Sequence, residues 1–180
     1  MPGFVSFVSY IDVPGSNKMG GILSDEEVFV SSIALCIGAI IGIVVCESEH
    51  EAELAAKLVK IEYELLSPRI FSIEDAIIHQ SYFGDELCLE QGNVEKALGN
   101  AEHILEGTLF VGGQEHFYME TNSCMVIPSN DDKEIKIYLG TQSLNDIQEL
   151  AALALGRDVS HIICHVKRVG GAFGGKVLRW

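Results

Sequence analysis

His161-Ile162-Ile163-Cys164-His165-Val166-Lys167-Arg168-Val169-Gly170-Gly171-Ala172-Phe173-Gly174-Gly175-Lys176 is the stretch on which the fold turns. Its opening is rich in β-branched residues, the signature of a strand. The strand runs without a break into a loop that is almost pure backbone, suited to close approach of an anion or a cofactor. Upstream, Gly112-Gly113-Gln114-Glu115-His116-Phe117-Tyr118-Met119-Glu120-Thr121 is its opposite, crowding hydrogen-bonding side chains among aromatics.

The glycine loop satisfies G-x-x-x-x-G-K, the spacing of a phosphate-binding P-loop. A P-loop needs Ser or Thr directly after the lysine to hold magnesium. This chain has Val177 there, so a nucleotide triphosphatase is set aside. His50-Glu51 begins like the zinc-protease H-E-x-x-H, but Leu54 stands where the second histidine belongs. His79, His103, His116, His161 and His165 show no ligand spacing on one helix face, and G-x-S-x-G is absent.

Bulk properties exclude more. Asp and Glu outnumber Lys and Arg 26 to 12, a net charge of −14, and no basic cluster exists beyond Lys167-Arg168. That argues against a nucleic-acid partner, which needs a basic footprint. The Lys-Arg pair itself reads either as solvated surface or as positive charge serving an anionic cofactor. Five scattered cysteines without a C-x-x-C pair read as reduced thiols in a cytoplasmic protein, and no secretion signal opens the chain.

Residues 28–46 are uncharged, and Gly38-Ala39-Ile40-Ile41-Gly42 has the G-x-x-x-G spacing of membrane helices. Ser31, Ser32, Gly38 and Gly42 interrupt the run, and its tail is β-branched. Two buried strands are expected there, and no membrane span.

The opening residues predict a turn leading into a strand, then a loop at Asp12-Val13-Pro14-Gly15-Ser16-Asn17. Ser48 with Glu51 three residues on is a capping box for a helix whose apolar face is Ala52, Ala55, Ala56 and Val59. Ile61-Glu62-Tyr63-Glu64-Leu65 alternates like a strand, and a short helix is expected after Ser72. Beyond a boundary placed near residue 84, strands are expected over residues 101–111, 124–128 and 134–139, with a hairpin turn at Asn130-Asp131-Asp132-Lys133. An amphipathic helix from Ser143 ends at Gly156. The fold class is α+β.

From the residues alone, Gln114 has two readings. It is a carboxamide satisfying loop backbone, or a neutral donor placed to stabilise a metal-bound group. Phe173 is an anchor pinning the loop or part of a binding surface, and His116 reads as a hydrogen-bonded core residue.

Residues 112–121 and 167–176 resemble the molybdenum-cofactor segments of the xanthine dehydrogenase and aldehyde oxidase family, in the right order. Met1-Pro2-Gly3-Phe4-Val5 and Ala55-Ala56-Lys57-Leu58-Val59-Lys60-Ile61-Glu62-Tyr63 also resemble interior segments of those enzymes. The sequence departs from the family at Gly38-Ala39, where Gly-Gln is frequent. The resemblance implies an α/β-hammerhead-like domain at residues 1–84 and the first part of a molybdopterin-binding α+β domain at residues 85–180.

It further implies roles. Gln114 would hydrogen-bond an oxo ligand of molybdenum without touching the metal. Ala172, Phe173 and Gly174 would line the cofactor through backbone N–H groups. Val177 would face the substrate pocket. Xanthine-oxidising members carry Glu at that position, and an apolar residue there matches the aldehyde-oxidase branch. The implied reaction is oxidation of aldehydes and aromatic N-heterocycles with water-derived oxygen and reduction of dioxygen, in a cytoplasmic homodimer that binds no membrane. The catalytic Glu of the family belongs to a later segment, and FAD and two 2Fe–2S clusters to earlier ones, so no catalytic residue is expected here. The chain then reads as an internal fragment, inactive alone; the other reading is a non-catalytic interaction module or the truncated product of a decayed gene.

Overall fold

The structure, a computed structural model, describes residues 2–21, 23–129, 131 and 133–178. The chain divides into two compact units, one of residues 1–59 with 114–180 and one of residues 60–113. The mixed content of helix and strand makes it α+β.

In the first unit, β1 (Phe4–Val8) pairs antiparallel with β4 (Ile43–Cys46), with an irregularity between Phe4 and Ser6. Helix α1 (Glu49–Leu58) packs on the pair through Ala55, which is buried. Ser48 caps α1 as its sequence predicts, accepting from the Glu51 N–H at 3.3 Å and donating to Glu51 Oε2 at 2.8 Å. Two short strands, β2 (Lys18–Met19) and β3 (Glu26–Glu27), form a ribbon. Beside it the Asn17 carboxamide imitates a strand partner, donating to Phe29 O at 2.8 Å and accepting from Phe29 N–H at 3.0 Å.

The sheet beneath the glycine loop comes later in the chain. β5 (Cys124–Pro128) pairs antiparallel with β6 (Ile135–Leu139), and β7 (Ile162–His165) lies parallel to β6. A parallel pair needs a crossover, which α4 (Leu144–Leu155) provides. Ile147 and Ala152 of α4 cluster with Ile137, Leu139 and the fully buried Ile162 as the core. Gly156, at φ 61°, ends α4 in the left-handed conformation that a side chain disfavours. There Gly15 and Ser16 donate to the carbonyls of Ala154 and Leu153, both at 2.9 Å, so the early loop is tied to the end of α4.

The second unit holds α2 (Ile73–Ile78), which follows Ser72 as expected and is capped by it, and α3 (Val94–Gly99). The sequence reading missed α3, whose cap is Asn93 Oδ1 accepting from Lys96 N–H at 2.8 Å.

Three expected features need correction. Of residues 28–46 only β4 is a strand, and Leu35 and Ile37 are exposed. Glu27 takes the backbone N–H of Ser31 at 2.9 Å and its hydroxyl at 2.6 Å, and Gly38 turns at φ 92°. Such local bonds offer the backbone an alternative to a ladder. Residues 61–65 and 101–111 are not strands either, because none of the described residues pairs with them. Of the expected hairpin turn, Asn130 and Asp132 lie outside the described residues. Its flanks close as expected, with Ser129 N–H on Glu134 O at 2.8 Å and Asp131 Oδ1 accepting from Ser129 Oγ at 2.7 Å. No helix among the described residues is long and apolar enough to cross a membrane.

Candidate functional site

β7 delivers the chain into the glycine loop, and the loop turns where L side chains rarely go. Gly170, Gly171 and Gly174 have φ of 66°, 84° and 88°, and Phe173 has φ 50°. Glycine accepts these values at little cost, whereas Phe173 holds its own at some strain. The last turn tightens into α5 (Gly175–Leu178) through Gly175 N–H on Ala172 O at 2.7 Å.

The two stretches singled out in the sequence meet here. Glu120 N–H donates to Gly170 O at 3.0 Å. A Cβ at Gly170 would collide with the Glu120 side chain, and one at Gly175 would lie 2.8 Å from the Tyr118 ring and 2.9 Å from the His116 ring. Glycine at both positions therefore permits this approach. His116 stacks loosely on Tyr118, centroids 6.3 Å apart, with Nδ1 3.9 Å from Glu115 Oε2. It is exposed, which corrects its reading as a core residue.

Lys176 sits at the centre of the junction, 1% exposed. Its Nζ donates to Val169 O at 2.6 Å and to Glu120 O at 2.7 Å, and lies 4.7 Å from the centroid of the Tyr118 ring. A P-loop lysine reaches out to phosphate, and this one is turned inward. The segment just after β6 holds the same residue by its backbone: Thr141 Oγ1 and Gln142 N–H both donate to Lys176 O, at 2.9 and 3.0 Å. Gln142 Oε1 then accepts from Gly174 N–H at 3.1 Å.

Ala172 is buried, Phe173 exposed and Val177 half-buried. No described residue accepts a hydrogen bond from the N–H of Ala172 or Phe173, whereas Gly174 N–H is committed to Gln142. Gln114 is exposed and makes no hydrogen bond among the described residues, so the junction does not include it. Lys167 and Arg168 are exposed as well. Two uncommitted backbone donors in a glycine-rich turn fit an acceptor-rich, anionic group, such as the molybdopterin that the sequence resemblance implies.

Beneath the junction, a hollow of about 260 Å³ is lined by Asn122, Ser123, Cys124, Ile137 and their neighbours. Burial pushes the Cys124 thiol up, and it pushes up Cys164 too, with a smaller push from Cys124. In both, the shift disfavours the thiolate, the form that binds metal. Sequence reading missed Thr141 and Gln142 altogether. A Thr-Gln pair closing a strand carries no motif, and only the pairing of β6 with β7 brings it against the glycine loop.

Known proteins resemble the chain over almost its whole length. Residues 1–67 match the family model of the aldehyde oxidase and xanthine dehydrogenase α/β hammerhead domain, and residues 78–180 that of the molybdopterin cofactor-binding domain. Aldehyde oxidase 2 of Mus musculus is 46% identical over 99% of this chain, and xanthine dehydrogenase/oxidase of Gallus gallus is 45% identical over 99%. The chain spans 13% of the length of each. Among solved structures, quinoline 2-oxidoreductase from Pseudomonas putida 86 shares the fold over 98% of this chain and 24% of its own, with a TM-score of 0.77 at 21% identity.

Proposed function

The chain belongs to the aldehyde oxidase and xanthine dehydrogenase family of molybdenum hydroxylases, and from that premise we propose that it forms one wall of a molybdopterin site in an aldehyde-oxidising enzyme. The observation that carries the reading is the junction of residues 116–120 with the glycine loop through Glu120, Gly170 and Lys176. In this reading the N–H groups of Ala172 and Phe173 hold the cofactor, with Gly174 shaping the turn between them and Gln142. Gln114 donates its carboxamide hydrogen toward the metal's ligands. Its neutrality matters, since a charged donor would itself titrate. Val177 presents an apolar wall to substrate and withholds the hydrogen-bonding partner that a purine would demand.

When bound, the cofactor supplies the two-electron oxidation of a carbon centre. This chain's residues orient it, exclude water on the Val177 side and leave the substrate contact apolar. The general base, FAD and two 2Fe–2S clusters belong to other parts of the whole enzyme. Aldehydes and aromatic N-heterocycles are its substrates, and the enzyme is a cytoplasmic homodimer. We place the boundary between the hammerhead domain and the cofactor domain near residue 84.

The test is a chimera of mouse aldehyde oxidase 2 in which this chain replaces the matching stretch. Gln114→Ala is expected to lower kcat about 100-fold with molybdenum content unchanged, by loss of one preorganised donor. Full activity would remove Gln114 from the site. The 180 residues alone are expected to turn over no aldehyde; if they bind no molybdopterin either, the chain by itself is a non-catalytic module.

A further inference from the structure

We propose that Lys176 is a positioning residue, a buried cation that latches residues 114–121 onto the glycine loop and so sets the cofactor-facing N–H groups before any cofactor arrives. The inference rests on the reading of this junction as the cofactor wall, but its geometry stands apart from that reading. A lysine that is 1% exposed is unusual, because an ammonium is rarely buried without a partner. No carboxylate among the described residues pairs with Lys176. Its charge is met instead by two carbonyl dipoles and the face of Tyr118.

The location of those partners gives the lysine its work. Val169 is seven residues away, at the entrance to the glycine loop, and Glu120 is 56 residues away, in the other stretch. One ammonium therefore holds both with two of its three donors. The Lys176 carbonyl is held in turn by Thr141 and Gln142, so the latch is fixed to the segment just after β6. Glu120 contributes its backbone on both sides, its N–H to Gly170 O and its O to Lys176. Without the ammonium, the carbonyls of Glu120 and Val169 lose this donor, and the Glu120–Gly170 bond loses the charged clamp beside it.

Amide hydrogen exchange on the 180-residue chain tests this without any cofactor. In Lys176→Met, the amides of residues 114–121 and 168–175 are expected to exchange about tenfold faster, with those of β5, β6, β7 and α4 unchanged. Lys176→Arg keeps the charge and the donors and is expected to restore most of the protection. Exchange that rises uniformly through the sheet, or not at all, would overturn the latch. If Lys176→Met does not fold, Tyr118→Leu and Tyr118→Phe decide: faster exchange in the first alone supports the latch, and equal behaviour of the two sinks it. In the chimera, molybdenum content separates the two proposals. A chimera that binds no cofactor with Lys176 intact refutes the wall reading and leaves the exchange result standing. Normal cofactor content without the exchange pattern refutes the latch alone.

Discussion

Residues 60–113 and residues 114–178 both carry alternating apolar side chains, and the two stretches come to opposite ends. In the later stretch, Ile137, Leu139, Ile147, Ala152 and Ile162 close into a core around β6. In the earlier one no described residue is buried, and Phe83, Leu87, Leu89 and Leu105 are fully in solvent. The elements that survive there are two helices of six residues, each with a capping side chain. A helix satisfies its own backbone, whereas a strand exists only beside another strand. Alternation therefore identifies a face that could be buried and leaves open what buries it.

The comparison breaks most easily at its extremes. Ile162 is 0% exposed on β7, and Leu105 is 100% exposed. Ile162→Asp places an unpaired carboxylate in the core and is expected to cost about 4 kcal/mol or more, enough to unfold the body beneath the glycine loop. Leu105→Asp is expected to change stability by less than about 0.5 kcal/mol. Urea unfolding followed by circular dichroism reads both. Equal effects would mean that residues 60–113 have a core of their own.

The same contrast explains what could be read from the sequence. The hairpin of β5 and β6, α4 with its Gly156 stop, β7 and the cap at Ser48 follow from period, turn residues and capping pattern, all local signals. Residues 61–65 and 101–111 look no different on paper, and what they lack is a neighbour. The two motifs were legible in the sequence, and the structure joins them at Glu120 and Gly170 while leaving Gln114 outside the junction. It does so through Lys176, Thr141 and Gln142, whose roles depend on the parallel pairing of β6 with β7. A lysine inside G-x-x-x-x-G-K suggests a phosphate ligand, and only burial shows that it points the other way.

A smaller effect probes the stop of α4. Gly156 takes φ 61° and lies close to Pro14 O and the backbone of Gly15. Gly156→Ala is expected to cost about 1 kcal/mol, from the strain of a left-handed alanine. Thermal unfolding measures it. A loss of stability as large as that expected of Ile162→Asp would show that the contact between the early loop and α4 holds this unit together as much as the core does.

The smallest expected effect compares one thiol from each stretch. Cys88 is exposed among residues 60–113, and Cys164 is half-buried on β7. Burial disfavours the charged thiolate, and the neighbouring Cys124 adds to it, so the Cys164 pKa rises. The thiolate is the reactive form, so at about pH 8 iodoacetamide should label Cys164 several-fold more slowly than Cys88. Raising the pH speeds Cys164 without removing the difference. The sign for stability follows: a thiol whose pKa is higher folded than unfolded favours the fold below the usual thiol range. That contribution is lost as pH climbs through the raised value. Labelling followed by peptide mass spectrometry reads each site separately. Equal rates would place Cys164 in solvent, and with it the strand that feeds the glycine loop.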